Sequence, residues 1–164
     1  MKLGVLSDTH NNSEATRRAL AIFRDHGVEK LIHCGDVTTP EIVALFEGWP
    51  IDFVYGNMDR DQSALRQAVG SLEQASIDDT QVLYIDGRRI AVTHGHWEDT
   101  LAELIRGEPD YVFHGHTHIR RHDTIGRTQV INPGALGGTR RQARSVCVVD
   151  LDAGDVTFVK LDQV

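Results

Sequence analysis

The chain has 164 residues, of which 17 are lysine or arginine and 24 are aspartate or glutamate, and its formal net charge is −7. Nonspecific affinity for nucleic acid comes mainly from basic side chains on phosphates, so this balance argues against a general nucleic-acid-binding protein. At this length we expect a single domain, residues 1–164, that buries about 68–70% of the surface of its unfolded form.

The opening stretch MKLGVLSDTH has one lysine and a short apolar run broken by Asp8, which is not the pattern of a signal peptide. No apolar run approaches the roughly 18 residues of a membrane span. The two cysteines, Cys34 and Cys147, are predicted to be reduced and buried. We therefore expect a cytoplasmic protein with no membrane partner, and a homo-oligomer is an open alternative to a monomer.

Short apolar runs that end in glycine or turn residues predict β-strands in the first two thirds of the chain. These runs are residues 2–7, 30–35, 52–56, 89–93 and 110–115. Helical patterns lie between several of them, over residues 13–26, 40–46 and 99–106. Ser13 is the expected N-cap of the first helix and Gly27 its C-terminal stop. This alternation predicts parallel β-α-β units.

The last third of the chain has a different pattern. Runs 127–132, 144–151 and 155–161 are rich in β-formers, have no helix between them and are joined by glycine, asparagine and aspartate turns. Such a pattern predicts antiparallel strands, which we expect to close a second sheet. The expected architecture is two packed sheets flanked by helices.

Candidate metal ligands follow the apolar runs of the first two thirds. In open α/β sheets, ligands bind at the carboxyl ends of the strands, so residues distant in sequence are expected to converge there. The pairs D-T-H and H-T-H have i, i+2 spacing, which in an extended segment points both side chains the same way. The candidate ligands are Asp8 and His10 after the first run, Asp36 after the second, Asn57 after the third, His94 after the fourth, and His116 and His118 after the fifth.

This set contains two carboxylates, four imidazoles and one amide, which is more than a single six-coordinate ion accepts. It suits two ions that share a bridging carboxylate, and Asp36, midway in chain order, is the predicted bridge. Oxygen and imidazole donors suit Mn²⁺, Fe²⁺, Co²⁺, Ni²⁺ or Zn²⁺ without selecting among them. We take Mn²⁺ as the first expectation.

The motifs resemble those of the calcineurin-like metallophosphoesterase family, specifically its small bacterial and archaeal phosphodiesterase branch. They are, in order, DTH (8–10), GD (35–36), GN (56–57), THGH (93–96) and GHTH (115–118), and NPGA (132–135) resembles a further motif of the branch. The resemblance implies an α/β fold, a four-layer αββα sandwich of two mixed β-sheets flanked by helices. It also implies one ion held by Asp8, His10, Asp36 and His118, and a second held by Asp36, Asn57, His94 and His116.

The activity that the resemblance implies is hydrolysis of small phosphodiesters by attack of a hydroxide that bridges the two metal ions, with Asp36, Asn57 and His10 in catalytic roles. A phosphomonoesterase is the nearer alternative. A catalytically weak interaction scaffold is the other, because a eukaryotic retromer subunit is similar in fold to this branch. The complete set of candidate ligands favours an enzyme, since a scaffold has no need to keep every one of them.

Met58 is the clearest departure from the family pattern. Many relatives carry a histidine after GN that can protonate the leaving group, and methionine cannot act as a general acid. We therefore expect a preference for diesters with acidic leaving groups. Two nearby residues have open roles. His96 contacts substrate, supports His94 or lies in a simple loop. Asp59 orients Asn57 or, as its position favours, caps a helix that begins near Arg60.

The remaining histidines are excluded from the predicted site. His33 lies inside the second apolar run and is predicted to be a packed strand residue. His26 and His122 are predicted to be loop or surface residues. His114 directly precedes GHTH and is predicted to be structural.

Overall fold

The computed structural model describes residues 1–139 and 141–161. Strands and helices alternate along most of these residues, as the sequence predicts. The elements in chain order are β1 (Lys2–Leu6), α1 (Ser13–Asp25), β2 (Lys30–His33), α2 (Pro40–Ala44), β3 (Ile51–Val54), α3 (Gln62–Gly70), β4 (Ala75–Asp78), β5 (Thr80–Ile85), β6 (Arg88–Thr93), α4 (Glu98–Arg106), β7 (Tyr111–Phe113), β8 (Arg121–Ile125), β9 (Thr128–Asn132), β10 (Ser145–Asp150) and β11 (Asp155–Lys160).

The strands form two mixed sheets. The first has the order β11-β10-β1-β2-β3-β4, and the second has the order β5-β6-β7-β9-β8. In the first sheet β1 to β4 are parallel and β10 and β11 are antiparallel to their neighbours. In the second sheet β6, β7 and β9 are parallel and the edge strands β5 and β8 are antiparallel. The predicted fold class is confirmed.

The predicted grouping of strands into sheets is wrong at the end of the chain. Instead of closing a second sheet, β10 and β11 extend the first sheet beside β1. The second sheet starts at β5 and contains β6 and β7, which the alternation assigned to the parallel series of the first. Local periodicity reports how much of each strand is buried and carries little information on which distant strand it pairs with.

The side chains of each strand alternate between two apolar layers. Leu3 and Val5 of β1 pack between the sheets with Ile90 and Val92 of β6, whereas Leu6 faces the helices that cover the first sheet. The outer face of the second sheet packs against apolar residues of α4. The result is the four-layer αββα order that the family resemblance implies. Among the described residues, no helix has the length and apolar character to cross a membrane.

The N-cap of helix α1 lies one residue earlier than predicted. The side chain of Asn12, not Ser13, accepts a hydrogen bond from the Ala15 backbone N–H at 3.0 Å and is the N-cap. The predicted C-terminal stop is confirmed, because Gly27 follows the helix with φ of +68°, a left-handed conformation that glycine adopts without steric cost. Cys34 and Cys147 are free and buried.

Candidate metal centre

The candidate ligands lie in loops whose backbone is unusual for residues other than glycine. Asp8 and His10 after β1 have φ of 53° and 43°, and Asp36 after β2 has φ of 57°. His116 and His118 after β7 have φ of 69° and 57°. The prediction that the D-T-H and H-T-H pairs lie in extended segments is therefore wrong. Left-handed backbone costs roughly 1–2 kcal/mol per residue and clusters at functional sites, where the surrounding fold holds it in place.

The first cluster brings together Asp8, His10 and His118. Asp8 Oδ1 lies 3.2 Å from His118 Nε2 and 3.8 Å from His10 Nε2. The two Nε2 atoms are 3.2 Å apart. The three residues come from loops of both sheets, and their ligand atoms are close enough together to hold one metal ion.

The second cluster surrounds His94, which is fully buried. Its Nε2 atom lies 3.0 Å from Asn57 Oδ1 and 3.4 Å from Asp36 Oδ2. His116 Nδ1 is also 3.0 Å from Asn57 Oδ1. Asp36 Oδ2 is 3.5 Å from His10 Nε2 and so lies between the two clusters. This position agrees with the predicted bridging role, as does that of Asp8, whose carboxylate also reaches both clusters.

Backbone carbonyls orient two of the imidazoles. The Nδ1–H of His94 donates to the Cys34 carbonyl at 2.7 Å, and the Nδ1–H of His118 donates to the Thr139 carbonyl. In a neutral ring this leaves the Nε2 lone pair free to face the cluster. A backbone carbonyl on the outer nitrogen is a common support for histidine ligands of metals, because it fixes both the tautomer and the ring orientation.

The arrangement has too many acceptors for its donors. Asp8 Oδ1 is buried and has no hydrogen-bond partner within residues 1–139 and 141–161. The Nε2 lone pair of His94 points at oxygens of Asp36 and Asn57, which are acceptors as well. A buried acceptor without a partner costs free energy, and a cation at the centre would remove that cost for all of these atoms. The donor set therefore fits divalent metal ions.

The carboxylates and imidazoles of the two clusters shift one another's pKa values. Burial opposes the charge of Asp36, but hydrogen bonding and charge from His94, together with the Met58 backbone N–H, hold the pKa of Asp36 below its ordinary value. Burial opposes protonation of His94, but Asp36 and Asp8 outweigh it and raise the pKa of His94. The nearby Asp8 carboxylate raises the pKa of His118, and burial opposes this shift.

Two glycines of the motifs are explained by close approach. A Cβ atom at Gly56, in GN, would overlap the Asp36 carboxylate. A Cβ atom at Gly115, in GHTH, would overlap the Ser7 hydroxyl and lie 2.7 Å from Asp8 Oδ2. Only glycine lets these loops approach the carboxylates so closely.

The buried carboxylate of Asp59 binds the backbone of two ligand loops. Its carboxylate accepts backbone N–H groups of Gly56, Asp36 and Thr38 at 2.7, 2.9 and 2.7 Å. The predicted capping role is wrong, because the side chain of Asp61 is the N-cap of α3. Burial raises the pKa of Asp59 despite these N–H groups. Asp59 thus ties the loop that carries Asp36 to the loop that carries Asn57.

His33 is a packed strand residue as predicted, and it also joins two ligand loops. Its Nδ1 accepts the Gly35 backbone N–H at 3.2 Å, so in the neutral ring Nε2–H donates to the Thr9 hydroxyl. The ring stacks on Phe53 with a centroid distance of 5.5 Å. Burial lowers the pKa of His33 to about 4. A polar residue inside an apolar run was the only signal of this role.

The other excluded histidines lie away from the ligand atoms. His26 is the C-cap of α1, and His122 is exposed on β8 and contacts Gln129. His114 is buried, and burial lowers its pKa to about 4.

His96 is half-buried beside the second cluster, with its ring centroid 5.4 Å from that of His94. Its Nδ1 atom is buried without a hydrogen-bond partner in the part of the chain that the structure describes.

Met58 directly follows the candidate ligand Asn57 and contacts Asp36 through its backbone. Its side chain is 39% exposed and its backbone N–H donates to Asp36 Oδ1 at 2.8 Å. The backbone therefore orients the candidate bridge whatever the side chain is. A thioether at this position still offers no proton to a leaving group.

Comparisons with known proteins place the chain in a family. The model of the calcineurin-like phosphoesterase superfamily domain matches residues 1–154. Phosphodiesterase MJ0936 of Methanocaldococcus jannaschii is 32% identical over 99% of this chain and 100% of its own length. A solved structure described as a novel archaeal phosphodiesterase, 32% identical, superimposes with a TM-score of 0.92 over 98% of this chain and 99% of its own.

A more distant structure shows the fold alone. Vps29 of Entamoeba histolytica, solved with Zn²⁺, is 19% identical and superimposes with a TM-score of 0.67 over 98% of this chain and 99% of its own. The full-length matches above confirm the predicted resemblance and the predicted enzyme class, a hydrolase. The chain belongs to the calcineurin-like phosphoesterase superfamily.

Proposed function

We propose that the chain is a phosphodiesterase that acts on small phosphodiesters with two divalent metal ions. The observation that carries the proposal is the convergence of the seven candidate ligands into two adjoining clusters, together with a buried Asp8 oxygen that has no hydrogen-bond partner among the described residues. The 32% identical relative that is named a phosphodiesterase supports the diester preference.

The residues that would hold the ions are those of the two clusters. Asp8, His10, Asp36 and His118 would hold one, and Asp36, Asn57, His94 and His116 the other. When bound, two such ions lower the pKa of a water molecule between them, orient the phosphoryl group and neutralise charge that develops on it. Mn²⁺ is the first candidate, and Fe²⁺, Co²⁺, Ni²⁺ or Zn²⁺ suit the same donors.

The protein's own residues would position the reactants. Asn57 and His116 are exposed, so the side of the centre that they form is open to an incoming phosphodiester. Asp8 and Asp36 are buried beneath it, and Asp59 and His33 hold their loops. With two carboxylates among the seven ligands, a centre that holds two divalent ions keeps positive charge, which suits an anionic diester.

Metal analysis of the purified protein, combined with turnover of chromogenic esters, tests the proposal. We expect two ions per chain, and hydrolysis of bis(p-nitrophenyl) phosphate that exceeds hydrolysis of p-nitrophenyl phosphate under Mn²⁺, Ni²⁺, Co²⁺ or Zn²⁺. The matched variants are His116→Ala in the centre and His122→Ala on the surface, and only the first should lose metal. A preference for the monoester would favour a phosphomonoesterase. A metal-loaded protein without turnover of either ester would favour a scaffold.

The remaining sequence-based expectations stay predictions. These are the cytoplasmic location, the absence of strong general nucleic-acid binding, the single domain over residues 1–164 and a homo-oligomer as the alternative to a monomer.

A further inference from the structure

A cavity of about 630 Å³ opens beside the candidate metal centre at Asn57. One wall comes from the loops that follow β3 and β4 of the first sheet. The other wall comes from the end of β6 and the start of α4. The lining residues that matter below are Tyr55, Asp59, Asp79, Thr80, Trp97 and Thr100. A phosphodiester bound at the centre would have one of its two ester groups next to this space.

Among the residues that the structure describes, the lining of this cavity contains two carboxylates, Asp59 and Asp79, and no lysine or arginine. Asp59 accepts hydrogen bonds from three backbone N–H groups, whereas Asp79 is exposed. A second cavity of about 470 Å³, on the other side of His96, is lined by Arg120 and Arg121 together with Glu98 and Asp123. The charged residues that line the first space are thus acidic, whereas those that line the second carry both signs. The first disfavours an anionic group and favours one that donates hydrogen bonds.

Trp97 gives the same cavity a flat apolar surface. Its side chain is 66% exposed, and its indole lies beside His96 with ring centroids 5.0 Å apart. It stands directly before α4 and makes no side-chain capping hydrogen bond. These contacts show no structural role that would explain why Trp97 is exposed. An aromatic ring or a nucleobase could stack on it, and such stacking changes affinity by about 5- to 100-fold.

We propose that this cavity binds an uncharged aromatic ester group with hydrogen-bond donors, in chemical class a nucleoside. The inference rests on the proposed phosphodiesterase function and adds the identity of one ester group. Trp97 would stack on the base, and Asp79 with the threonine hydroxyls would accept hydrogen bonds from the sugar or the base. Trp97 and Asp79 are therefore specificity-determining residues and have no part in holding metal.

Binding of a free nucleoside tests the inference without turnover. The chain has two tryptophans, so Trp49→Phe leaves Trp97 as the single indole fluorophore. Titration of this variant with adenosine, in the presence of a chelator, should quench Trp97 fluorescence to saturation. Asp79→Ala in the same background should weaken binding. Adenosine 3′,5′-bisphosphate should bind about fivefold more weakly than adenosine, as expected for one unfavourable charge pair.

Turnover of two diesters with the same leaving group provides the second test. Thymidine 5′-(p-nitrophenyl phosphate) and methyl p-nitrophenyl phosphate both release p-nitrophenolate, so their difference reports the other ester group. Wild type should prefer the nucleoside ester in kcat/KM, and Trp97→Ala should reduce that preference by about 5- to 100-fold. Tyr84→Ala is the control and should leave the preference unchanged. The Tyr84 ring is 78% exposed and does not line the cavity.

The possible results separate the two proposals. Saturable quenching together with a lost preference in Trp97→Ala supports the nucleoside cavity. No quenching by adenosine, or an equal loss for both diesters in Trp97→Ala, overturns it and leaves the phosphodiesterase proposal standing. If neither diester is hydrolysed with any metal, the phosphodiesterase proposal fails, and the fluorescence titration alone decides whether the cavity binds a nucleoside.

Discussion

The two sheets contribute different chemistry to the candidate metal centre. The first sheet supplies both carboxylates, Asp8 and Asp36, which are almost completely buried. The second sheet supplies only imidazoles, from His94, His116 and His118, and His116 is exposed. The negative charge that would attract the ions thus lies in the interior, and His116 of the second sheet reaches the surface where a substrate would arrive.

The two halves also differ in how they are held. Buried side chains hold the carboxylate loops, with Asp59 accepting the Asp36 backbone N–H and His33 joining Gly35 to Thr9. The imidazoles are held by single backbone carbonyls on their outer nitrogens, as for His94 and His118. If the centre holds metal ions as proposed, the first half would fix their position and the second half would complete their coordination. Substitutions in each half should therefore have different consequences.

The largest effect is expected for Asp36→Asn, in the carboxylate half. This change keeps the shape of the side chain but removes the charge that we assign to both ions. Activity with bis(p-nitrophenyl) phosphate should fall to the level of wild type treated with a chelator, and metal content should fall with it. Asp61→Asn is the matched control, because asparagine is also a good N-cap and activity should persist. Near wild-type turnover of Asp36→Asn at full metal loading would show that Asp36 is not the bridge.

The difference between the halves also explains what the sequence could predict. Every candidate ligand was identified because it is a polar residue directly after an apolar run, and the parallel topology brings such positions to one edge. The fold class followed from the alternation of patterns. Three strands were not identified, and each lies at the edge of its sheet with much of its surface exposed. They are β4, β5 and β8.

Other features depend on contacts that no local pattern reports. The left-handed backbone at Asp8 and His116 is held by the folded loops. Aspartate and histidine adopt it more often than most residues other than glycine, but still too rarely for a sequence pattern to reveal it. The three N–H groups around Asp59 come from two loops that are more than 15 residues apart in sequence. Pairing of β10 with β1 joins the two ends of the chain, which periodicity cannot indicate.

The second prediction concerns Met58, which adjoins the carboxylate half and supplies no proton. Wild type should cleave diesters with acidic leaving groups far better than those with alkyl leaving groups, because the rate falls steeply with leaving-group pKa when no acid assists. Met58→His should flatten this dependence and accelerate poor leaving groups by up to about 10²–10⁴-fold. Its backbone N–H still supports Asp36, so metal content should not change.

A plot of log kcat/KM against leaving-group pKa is the measurement for Met58, with Met58→Leu as the control that keeps an apolar side chain. A shallow slope in wild type would contradict the prediction. It would show that another residue already supplies the proton, with His10 in the first half or His96 in the second half as the candidates.

The third prediction concerns His116, the exposed member of the imidazole half. His116→Ala should weaken the second ion by at least about 10–100-fold, the size of effect seen even for residues that only support a ligand. Activity should be lost at equimolar metal and should return in part with excess metal, because the buried ligands are still in place. Isothermal titration with Mn²⁺ measures the affinity. A variant that binds both ions as wild type does would remove His116 from the proposed ligand set.

The smallest effect is expected for His33, which joins Gly35 to Thr9 in the carboxylate half. The quantity affected is the pH dependence of the free energy of unfolding. Burial lowers the pKa of His33 to about 4 in the folded chain, against about 6.5 in an unfolded one. Its contribution to stability is therefore complete above pH 6.5 and is lost as the pH falls towards 4. Between pH 7 and pH 5, titration of His33 alone should lower the free energy of unfolding by about 2 kcal/mol.

His33→Gln removes this titration and keeps a polar side chain of similar reach. The variant should be less stable than wild type at pH 7, because the stacking on Phe53 and the neutral bridge from Gly35 to Thr9 are weakened. Urea unfolding with a chelator should show that this gap narrows by about 2 kcal/mol from pH 7 to pH 5, since only wild type loses stability through His33. The surface control His122→Gln should not narrow its gap to wild type in this way. A constant gap for His33→Gln would mean that His33 takes up a proton in the folded chain as readily as in the unfolded one.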